Sequence, residues 1–480
     1  MLWLMLKSLI LKYRNLSIPA KAALWYLICK FLQSGISVLT VPLFTRLLTP
    51  SEYGVVSIFT SWTDIFAIFI TLNLSYGIYN KGLLIYKDNR DVYSSQMLGL
   101  SITFGIVSTL LISVIYPLGW ESLIGVPYYV FLAMCLSTLI SPSFNFWSAR
   151  QRFEYKYKKL VVVTILTYVL GPLVSLIIVY FSKERAISRI LSSMIVPSLC
   201  FLFFLIFIFS KSKSFYNRKV WKDSLSFNIP LVPHYLSQIV LSSSDRIMIG
   251  NIINSYSAGL YSIANSVASL ILLVNSSVSA SLNPWIFQNL EGKEYAVIHK
   301  KVNGIILVMG VLSILLIALS PELLRLFASS EYFPARWAIP PISLGLFFFF
   351  VANLCGTVEF YYLKNYIVLF ASSICAVVNI VLNYILLPYF GYLVCAYTTM
   401  FSYLLFCLIH YVYINYLCKK ELGDIALFDI KHIFRILFFI VLASAGLMVF
   451  VDYIVIRLVC VVLLLFYLYK YKLDIIKGLL

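Results

Sequence analysis

Five consecutive polar residues interrupt an apolar stretch in the middle of this chain: Ser242, Ser243, Ser244, Asp245 and Arg246. An ionised side chain within a lipid bilayer costs about 3 kcal/mol even on lenient insertion scales, so such residues usually face a water-filled cavity or a partner. On a helix, Asp245 and Arg246 point about 100° apart, so each needs its own partner or water. The run therefore predicts a polar lining that could bind an ion or a charged ligand.

Other ionisable residues fall within apolar stretches or at their ends. Lys30 and Asp64 lie at levels that differ by roughly 9 Å in an antiparallel helix pair, so they form either a structural ion pair or the lining of a passage. His234 follows two prolines that predict a helix bend, and we expect it to form an interhelical hydrogen bond rather than a proton relay. Glu359 could couple protons, although an interfacial position is favoured, and Arg457 is expected to extend to the interface.

No catalytic or metal-binding motif accompanies these residues. The sequence contains no Walker A, HExxH, GxSxG or CxxC pattern, and its four histidines are scattered. Eight of the nine cysteines fall in apolar segments, which is typical of small core residues rather than of a disulfide framework. We therefore predict no catalytic residue, no metal site, no cofactor and no ATP hydrolysis by this chain.

The composition predicts the elements that must position these residues. With 61% hydrophobic residues, 12% charged residues and a mean hydropathy of +0.94, the chain cannot cover a soluble globule with polar surface. Windows of about 20 residues predict an all-α polytopic membrane protein with fourteen transmembrane helices. They are Ala22–Phe44, Val55–Tyr79, Ser94–Leu118, Pro127–Trp147, Leu160–Phe181, Ile187–Phe209, Leu225–Ile252, Ala258–Phe287, Val302–Phe327, Trp337–Tyr361, Tyr366–Leu387, Tyr392–Tyr413, Ile433–Val451 and Tyr453–Leu468.

The net charge of +18 is distributed in a way that predicts membrane orientation rather than nucleic-acid binding. Most of the 37 Lys and Arg residues occupy alternate loops, so the positive-inside bias places both termini in the cytoplasm. No cleavable signal peptide is evident at the start of the chain. The opposite loops hold only Arg46, Lys183, Arg185 and Arg336.

An internal repeat predicts the domain organisation. Shifting the sequence by roughly 205 residues aligns the start of helix 2 with the start of helix 8, and six helices per copy would give both copies the same orientation. We therefore predict two parallel six-helix bundles around a central cavity, residues 1–215 and 216–420, followed by a two-helix segment, 421–480. The aligned identities are Gly54 with Gly259, Ser57 with Ser262, Ile58 with Ile263 and Ser61 with Ser266.

A typical helix N-terminal sequence precedes the first copy of this repeat. Thr49 is suited to the N-cap, Pro50 to the first turn and Glu52 to the third position of a capping box. A sharp turn on the outer face is the favoured interpretation, over a role in substrate contact.

Three segments resemble the Wzx-like oligosaccharide flippases of the multidrug/oligosaccharidyl-lipid/polysaccharide exporter superfamily. They are Phe44–Gly54 after helix 1, Ser244–Gly250 in helix 7 and Ala258–Ala264 at the start of helix 8. Helix number and the two halves match this family as well. One departure is Lys81, which stands near a place where the family often has an arginine.

The resemblance implies that the protein moves an undecaprenyl-pyrophosphate-linked oligosaccharide from the inner to the outer leaflet of a bacterial cytoplasmic membrane. Implied partners are this lipid-linked oligosaccharide, membrane lipids, a coupling H⁺ or Na⁺ and, further, a polysaccharide polymerase and a chain-length regulator; nucleic acid is not among them. Implied substrate-binding cations are Lys30, Arg46 and Arg246, and implied ion-coupling or cavity-lining residues are Asp64, Asp245, His234 and Glu359.

Three other functions compete with this interpretation. A multidrug or cation antiporter of the same superfamily would favour an acidic, aromatic cavity, which the several buried cations oppose. A polysaccharide polymerase or membrane glycosyltransferase would need a large outer loop, and no predicted outer loop reaches that size. A purely structural scaffold would leave the buried charges and prolines without a purpose.

Overall fold

A computed structural model describes residues 17–75, 77–423, 427–428 and 430–470 of the chain, and all the regular elements in those ranges are helices. The helices begin and end close to the apolar stretches of the sequence, which confirms the predicted all-α membrane architecture. The predicted cytoplasmic location of the termini concerns residues 1–16 and 471–480, which lie outside the described residues.

The chain divides into two compact units. The first comprises the residues up to Leu48 together with Phe59–Leu236, and the second comprises Thr49–Ile58 together with Ser237–Leu480. One helix, Pro50–Thr71, therefore begins in the second unit and continues in the first. The three-part division at residues 215 and 420 stays a prediction.

The first unit contains α1 and the helices from the middle of α2 to the start of α11. A short 3₁₀ turn lies before α4, another after it, and a third before α11. The helices are α1 Ile18–Leu47, α2 Pro50–Thr71, α3 Ile78–Ile85, α4 Arg90–Ile115, α5 Trp120–Ile124, α6 Tyr128–Ile140, α7 Pro142–Phe153, α8 Tyr157–Phe181, α9 Arg185–Lys211 and α10 Arg218–Asn228.

The second unit contains most of α11 and all later helices. Its most enclosed member is α16, in which 89% of the apolar window is buried inside the protein. The helices are α11 Val232–Ile252, α12 Ser255–Ala268, α13 Leu270–Glu291, α14 Tyr295–Ala318, α15 Ser320–Phe327, α16 Ile339–Tyr361, α17 Asn365–Phe390, α18 Leu393–Glu421, α19 Ile430–Val449 and α20 Ile454–Lys470.

The count of fourteen spanning helices is not confirmed. Within the described ranges, eleven spans are long and apolar enough to cross a membrane. Helix α11 is not among them because its polar run and Pro233 lower its hydropathy. The apolar parts of the last two helices, Phe434–Val449 and Ile454–Leu464, are shorter than the other spans.

Several helices predicted as continuous are broken. The predicted fourth helix is divided into α6 and α7 at Ser141, directly before Pro142, because proline cannot donate the backbone hydrogen bond of a continuous helix. The bend predicted by the prolines of the seventh helix is confirmed as the 3₁₀ turn Ile229–Leu231 between α10 and α11. Helix α2 ends at Thr71, earlier than predicted, in two residues with left-handed backbone conformation, Leu72 and Asn73.

The predicted capping box is confirmed at the start of α2. The backbone N–H of Glu52 donates to the Thr49 hydroxyl at 3.3 Å, and the backbone N–H of Thr49 donates to the Glu52 carboxylate at 2.8 Å. A comparable cap starts α12, where the backbone N–H of Ser257 donates to the Asn254 side-chain oxygen at 2.8 Å. These bonds satisfy amide groups that the helix itself leaves unpaired.

The two copies of the repeat touch each other at these helix starts, within the second unit. A β-carbon placed on Gly54 would overlap the backbone carbonyl of Ser255, and one placed on Gly259 would overlap the backbone carbonyl of Pro50. The 205-residue shift maps Pro50 on Ser255 and Gly54 on Gly259, so the contact is reciprocal. Only glycine allows this approach of two backbones.

A buried ion pair anchors the last helix. Arg457 of α20 is 4% exposed and donates from its two terminal nitrogens to the Glu322 carboxylate of α15 at 2.6 and 2.7 Å. It also donates to the carbonyl of Ala318 at 2.6 Å. The expectation that Arg457 extends to the interface is therefore wrong: a bidentate carboxylate stabilises the guanidinium inside the protein.

We expect Glu322→Gln to lower the free energy of unfolding by about 1–3 kcal/mol at pH 7, because a buried guanidinium loses its charged partner. Hydrogen bonds from Arg457 lower the pKa of Glu322, so the contribution is complete above the pKa of the unfolded chain and is lost as pH falls through the lower, folded value. Thermal unfolding between pH 7 and pH 3 tests this, with the exposed Glu331→Gln as control. Identical pH dependence in wild type and Glu322→Gln would contradict it.

Candidate functional site

The polar run of α11 places one carboxylate deep in the second unit. Asp245 is 4% exposed and accepts hydrogen bonds from three neutral groups. The side-chain amide of Asn383 donates to one carboxylate oxygen at 2.7 Å, and the Thr399 hydroxyl donates to the other at 2.6 Å. The Tyr261 hydroxyl donates to that second oxygen as well. Three helices, α12, α17 and α18, thus supply the donors.

A second layer of polar groups surrounds these donors. The amide of Asn379 donates to the Thr399 hydroxyl at 3.0 Å, and its oxygen accepts from Ser244 and from Asn383, each at 3.3 Å. The Thr398 hydroxyl donates to the oxygen of Asn383. We call the whole set the Asp245 cluster: Ser244, Asp245, Tyr261, Asn379, Asn383, Thr398 and Thr399.

The local sequence explains why the cluster forms. Asn379 and Asn383 are four residues apart, so both side chains lie on the same face of α17. Thr398 and Thr399 lie in the second turn of α18, and all members of the cluster are buried. Burying a polar group without a partner costs about 2–7 kcal/mol. The network therefore stabilises the fold only if each of its polar groups is hydrogen-bonded.

The arrangement leaves the carboxylate without a cationic hydrogen-bond partner in the part of the chain that the structure describes. Arg246 turns away and donates from a terminal nitrogen to the Ser242 carbonyl at 2.7 Å. This confirms that the two neighbouring charges use separate partners. The cluster therefore offers a carboxylate, two amide oxygens and two threonine hydroxyls, which are the hard oxygen donors that suit a proton or a small hard cation.

Sequence profiles of known families match most of the chain. The profile described as polysaccharide biosynthesis protein matches residues 20–290, which is more than half of the chain. The chain belongs to the polysaccharide biosynthesis protein family. A second profile, MatE, matches residues 230–385, which include the Asp245 cluster up to Asn383.

Relatives of this polysaccharide biosynthesis protein agree with the assignment. The Lsg locus protein 1 of Haemophilus influenzae is 22% identical over 289 residues, 58% of this chain and 69% of the relative. The lipid II flippase MurJ in an inward closed conformation has a TM-score of 0.66 at 16% identity, covering 95% and 100% of the two chains. An inward-facing MATE multidrug transporter has a TM-score of 0.60 at 13% identity, covering 82% and 96%. The predicted flippase and exporter superfamily is confirmed: this is a membrane transporter.

Of the predicted substrate cations, Lys30 and Arg46 belong to the first unit, whereas Arg246 follows Asp245 on α11. Lys30 and Arg46 are exposed, and neither forms a hydrogen bond or an ion pair with any described residue. The structural ion pair that the sequence allowed between Lys30 and Asp64 is therefore not formed. Asp64 is exposed on α2 and has a partner other than Lys30.

Two further expectations are wrong. The Nδ1 atom of His234 is buried and has no hydrogen-bond partner among the described residues, so the interhelical bond expected there is not formed. Glu359 is fully buried rather than interfacial, and both of its carboxylate oxygens lie 2.8–2.9 Å from Nδ1 of His410. The burial follows from α16, the most enclosed helix of the protein.

We expect Glu359→Leu to lower the free energy of unfolding by about 1–3 kcal/mol because it leaves the buried His410 ring nitrogen without its partner. Glu359→Gln keeps an acceptor oxygen and should cost less. Thermal unfolding of purified protein measures both, with Glu359→Leu/His410→Leu as the paired control that removes both polar groups. Equal losses for Glu359→Leu and Glu359→Gln would contradict the importance of the hydrogen bond.

Most residues of the Asp245 cluster were not predicted from the sequence. Asn379 and Asn383 could have been predicted, because two amide side chains one turn apart in an otherwise apolar span require buried hydrogen-bond partners. Nothing in the sequence distinguishes Tyr261 and His410. Tyrosine is abundant in this chain, and a single histidine in a helix is usually a core residue with a hydrogen-bond partner.

Proposed function

We propose that this protein transfers undecaprenyl-pyrophosphate-linked oligosaccharide units from the inner to the outer leaflet of the bacterial cytoplasmic membrane by alternating access. A gradient of H⁺ or Na⁺ drives the cycle, and the Asp245 cluster binds the coupling ion. The protein is proposed to have cytoplasmic termini and to act beside a polysaccharide polymerase and a chain-length regulator.

One observation supports the proposed ion coupling. Asp245 is a buried carboxylate whose hydrogen-bond partners are neutral hydroxyl and amide groups, within the apolar core of a membrane transporter. A carboxylate in such a place is costly in the ionised form and gains from a bound proton or cation. Binding of the ion changes the net charge of the cluster, and such a change can bias two conformations of a transporter.

The proposed cargo follows from the family and from solvation. The profile of polysaccharide biosynthesis proteins covers both α2 and the Asp245 helix, and the similar MurJ fold belongs to a protein named as a lipid II flippase. Each sugar hydroxyl transferred unpaired into hydrocarbon costs about 2–7 kcal/mol, and a pyrophosphate costs more, so a protein path is required. Lys30, Arg46 and Arg246 are the proposed contacts for the anionic group.

Asp64, His234 and Glu359 are proposed to line the path or to contribute to coupling. His234 supports this best because the buried Nδ1 has no partner among the described residues and is available to a ligand or water. Glu359 supports it least because Nδ1 of His410 already lies within hydrogen-bond distance of its carboxylate.

Deletion of the gene in its native host tests the cargo. Extraction of lipids followed by mass spectrometry should show accumulation of a complete lipid-linked repeat unit, together with loss of the surface polysaccharide. The MatE profile over residues 230–385 makes a drug or cation antiporter the second candidate. Unchanged lipid intermediates with altered drug susceptibility would support that antiporter and reject the flippase.

A further inference from the structure

A cavity of about 980 Å³ lies in the first unit. Its walls come from α3, α4, α7, α8 and α9 together with the loop between α7 and α8. This volume is at the upper end of the range in which proteins bind small molecules. One part of the wall is a basic rim, and another part is lined by aromatic side chains.

The rim carries five cations and two carboxylates. Glu154 and Asp91 bind Arg150, and Glu154 also binds Lys156 at 2.6 Å. Burial would raise the pKa of Glu154, but hydrogen bonds from Lys156 and Arg150 outweigh it and hold the pKa below its usual range. Glu154 is therefore ionised at neutral pH, and both carboxylates are already paired with cations of the rim.

The remaining rim cations are Lys158, Lys159 and Lys211. All three are exposed, and none forms an ion pair with a carboxylate among the described residues. Lys158 and Lys159 lie in the first turn of α8, a 25-residue helix whose start has no side-chain cap. Unpaired amide groups at a helix start add a partial positive charge. The rim therefore has an excess of positive charge that a bound anion would neutralise.

The aromatic side of the cavity carries exposed apolar side chains. Phe203, Phe207 and Val162 line the cavity, and 61%, 37% and 56% of their surfaces are exposed. They belong to α8 and α9, which are long and apolar enough to cross the membrane. Exposed apolar side chains of such helices contact hydrocarbon, so a ligand could keep an alkyl chain there while its anionic end reaches the rim.

We propose that this cavity binds an anionic glycerophospholipid of the adjoining leaflet. The headgroup phosphate contacts Lys158, Lys159 and Lys211, and one acyl chain lies along Phe203 and Phe207. The positive-inside bias assigns this end of the helices to the cytoplasm, so the lipid belongs to the inner leaflet. The site is separate from the proposed ion-coupling cluster and does not depend on the identity of the transported cargo.

Native mass spectrometry of the full-length protein in detergent, with added phosphatidylglycerol or phosphatidylcholine, tests the proposal. The variant Lys158→Gln/Lys159→Gln/Lys211→Gln should bind phosphatidylglycerol at least about tenfold more weakly than the wild type. The matched control Lys293→Gln/Lys300→Gln/Lys419→Gln removes the same charge from three exposed lysines outside the cavity and should bind like the wild type. Thermal unfolding of all three proteins checks that each is folded.

Three results would overturn the proposal. Equal binding of phosphatidylglycerol and phosphatidylcholine, or equal binding by the cavity and control variants, would show that the rim lysines do not select an anionic headgroup. Preferential binding of a polyprenyl pyrophosphate that the cavity variant loses would assign the site to the transported lipid instead. None of these results affects the deletion test of the flippase, which measures accumulation of intermediates.

Discussion

Replacement of Gly54 or Gly259 by alanine is expected to destabilise the folded protein strongly and to lower its yield. Each new methyl group would occupy the place of a backbone carbonyl of the other repeat copy, Ser255 for Gly54 and Pro50 for Gly259. A flexible side chain could move away, but a helical backbone cannot do so without shifting its whole turn. Overpacking commonly costs 1–3 kcal/mol, and here we expect at least about 3 kcal/mol, out of a total stability of about 5–15 kcal/mol.

The measurement is the yield of monodisperse protein after detergent extraction, followed by thermal unfolding of what remains. Gly35→Ala in α1 and Gly304→Ala in α14 are matched controls, because a β-carbon at either position meets nothing within 4 Å. These controls should be neutral or stabilised by up to about 1 kcal/mol, since alanine is the better helix former. Wild-type yield and stability for Gly54→Ala would show that the two backbones are not in contact.

The change Asp245→Asn should leave the protein folded but remove its response to an ion gradient. The asparagine oxygen can accept from Asn383, and its amide can donate to the hydroxyls of Tyr261 and Thr399, which are able to accept as well as donate. What disappears is the negative charge that a bound proton or cation would neutralise. Coupling free energies of about 1–3 kcal/mol correspond to a 5–150-fold effect, and we expect a loss of that size in gradient-stimulated transport.

Purified protein reconstituted in vesicles allows the test, with H⁺ and Na⁺ gradients imposed separately and movement of a fluorescent lipid-linked oligosaccharide followed over time. The exposed Glu121→Gln serves as the charge-matched control and should keep the stimulation. Gradient-stimulated transport by Asp245→Asn equal to the wild type would place the coupling ion elsewhere. The gradient that stimulates the wild type also identifies the ion.

The reciprocal glycine contact has a consequence for the internal repeat. Four identities at a fixed spacing suggested a duplication, and the structure brings the aligned residues Gly54 and Gly259 against each other within one compact unit. A β-carbon on Gly54 would lie 3.0 Å from the backbone nitrogen of Gly259, and the converse separation is 3.1 Å. The helix starts are therefore related by a local two-fold symmetry, which constrains both copies to glycine at the same place.

Features that depend on neighbouring residues could be predicted from the amino-acid sequence. Hydropathy within about 20 residues determines which segments enter the membrane, so the helical architecture was predictable. The Thr49 and Glu52 cap involves residues three apart, and the helix break near Pro230 follows from the missing N–H of proline. The number of spans was less certain because a polar helix such as α11 is marginal by hydropathy alone.

The partner of each buried charged residue could not be predicted from the sequence and follows from the packing of the helices. Asp245 meets Asn383 and Thr399 across 138 and 154 residues, and Arg457 meets Glu322 across 135. Hydropathy and helical period determine that a polar residue is costly in the membrane, but not which neighbouring helix satisfies it. That choice depends on helix packing and on the rotation of each helix about its axis, which is why Glu359 and Arg457 are buried where their positions near helix ends predicted the interface.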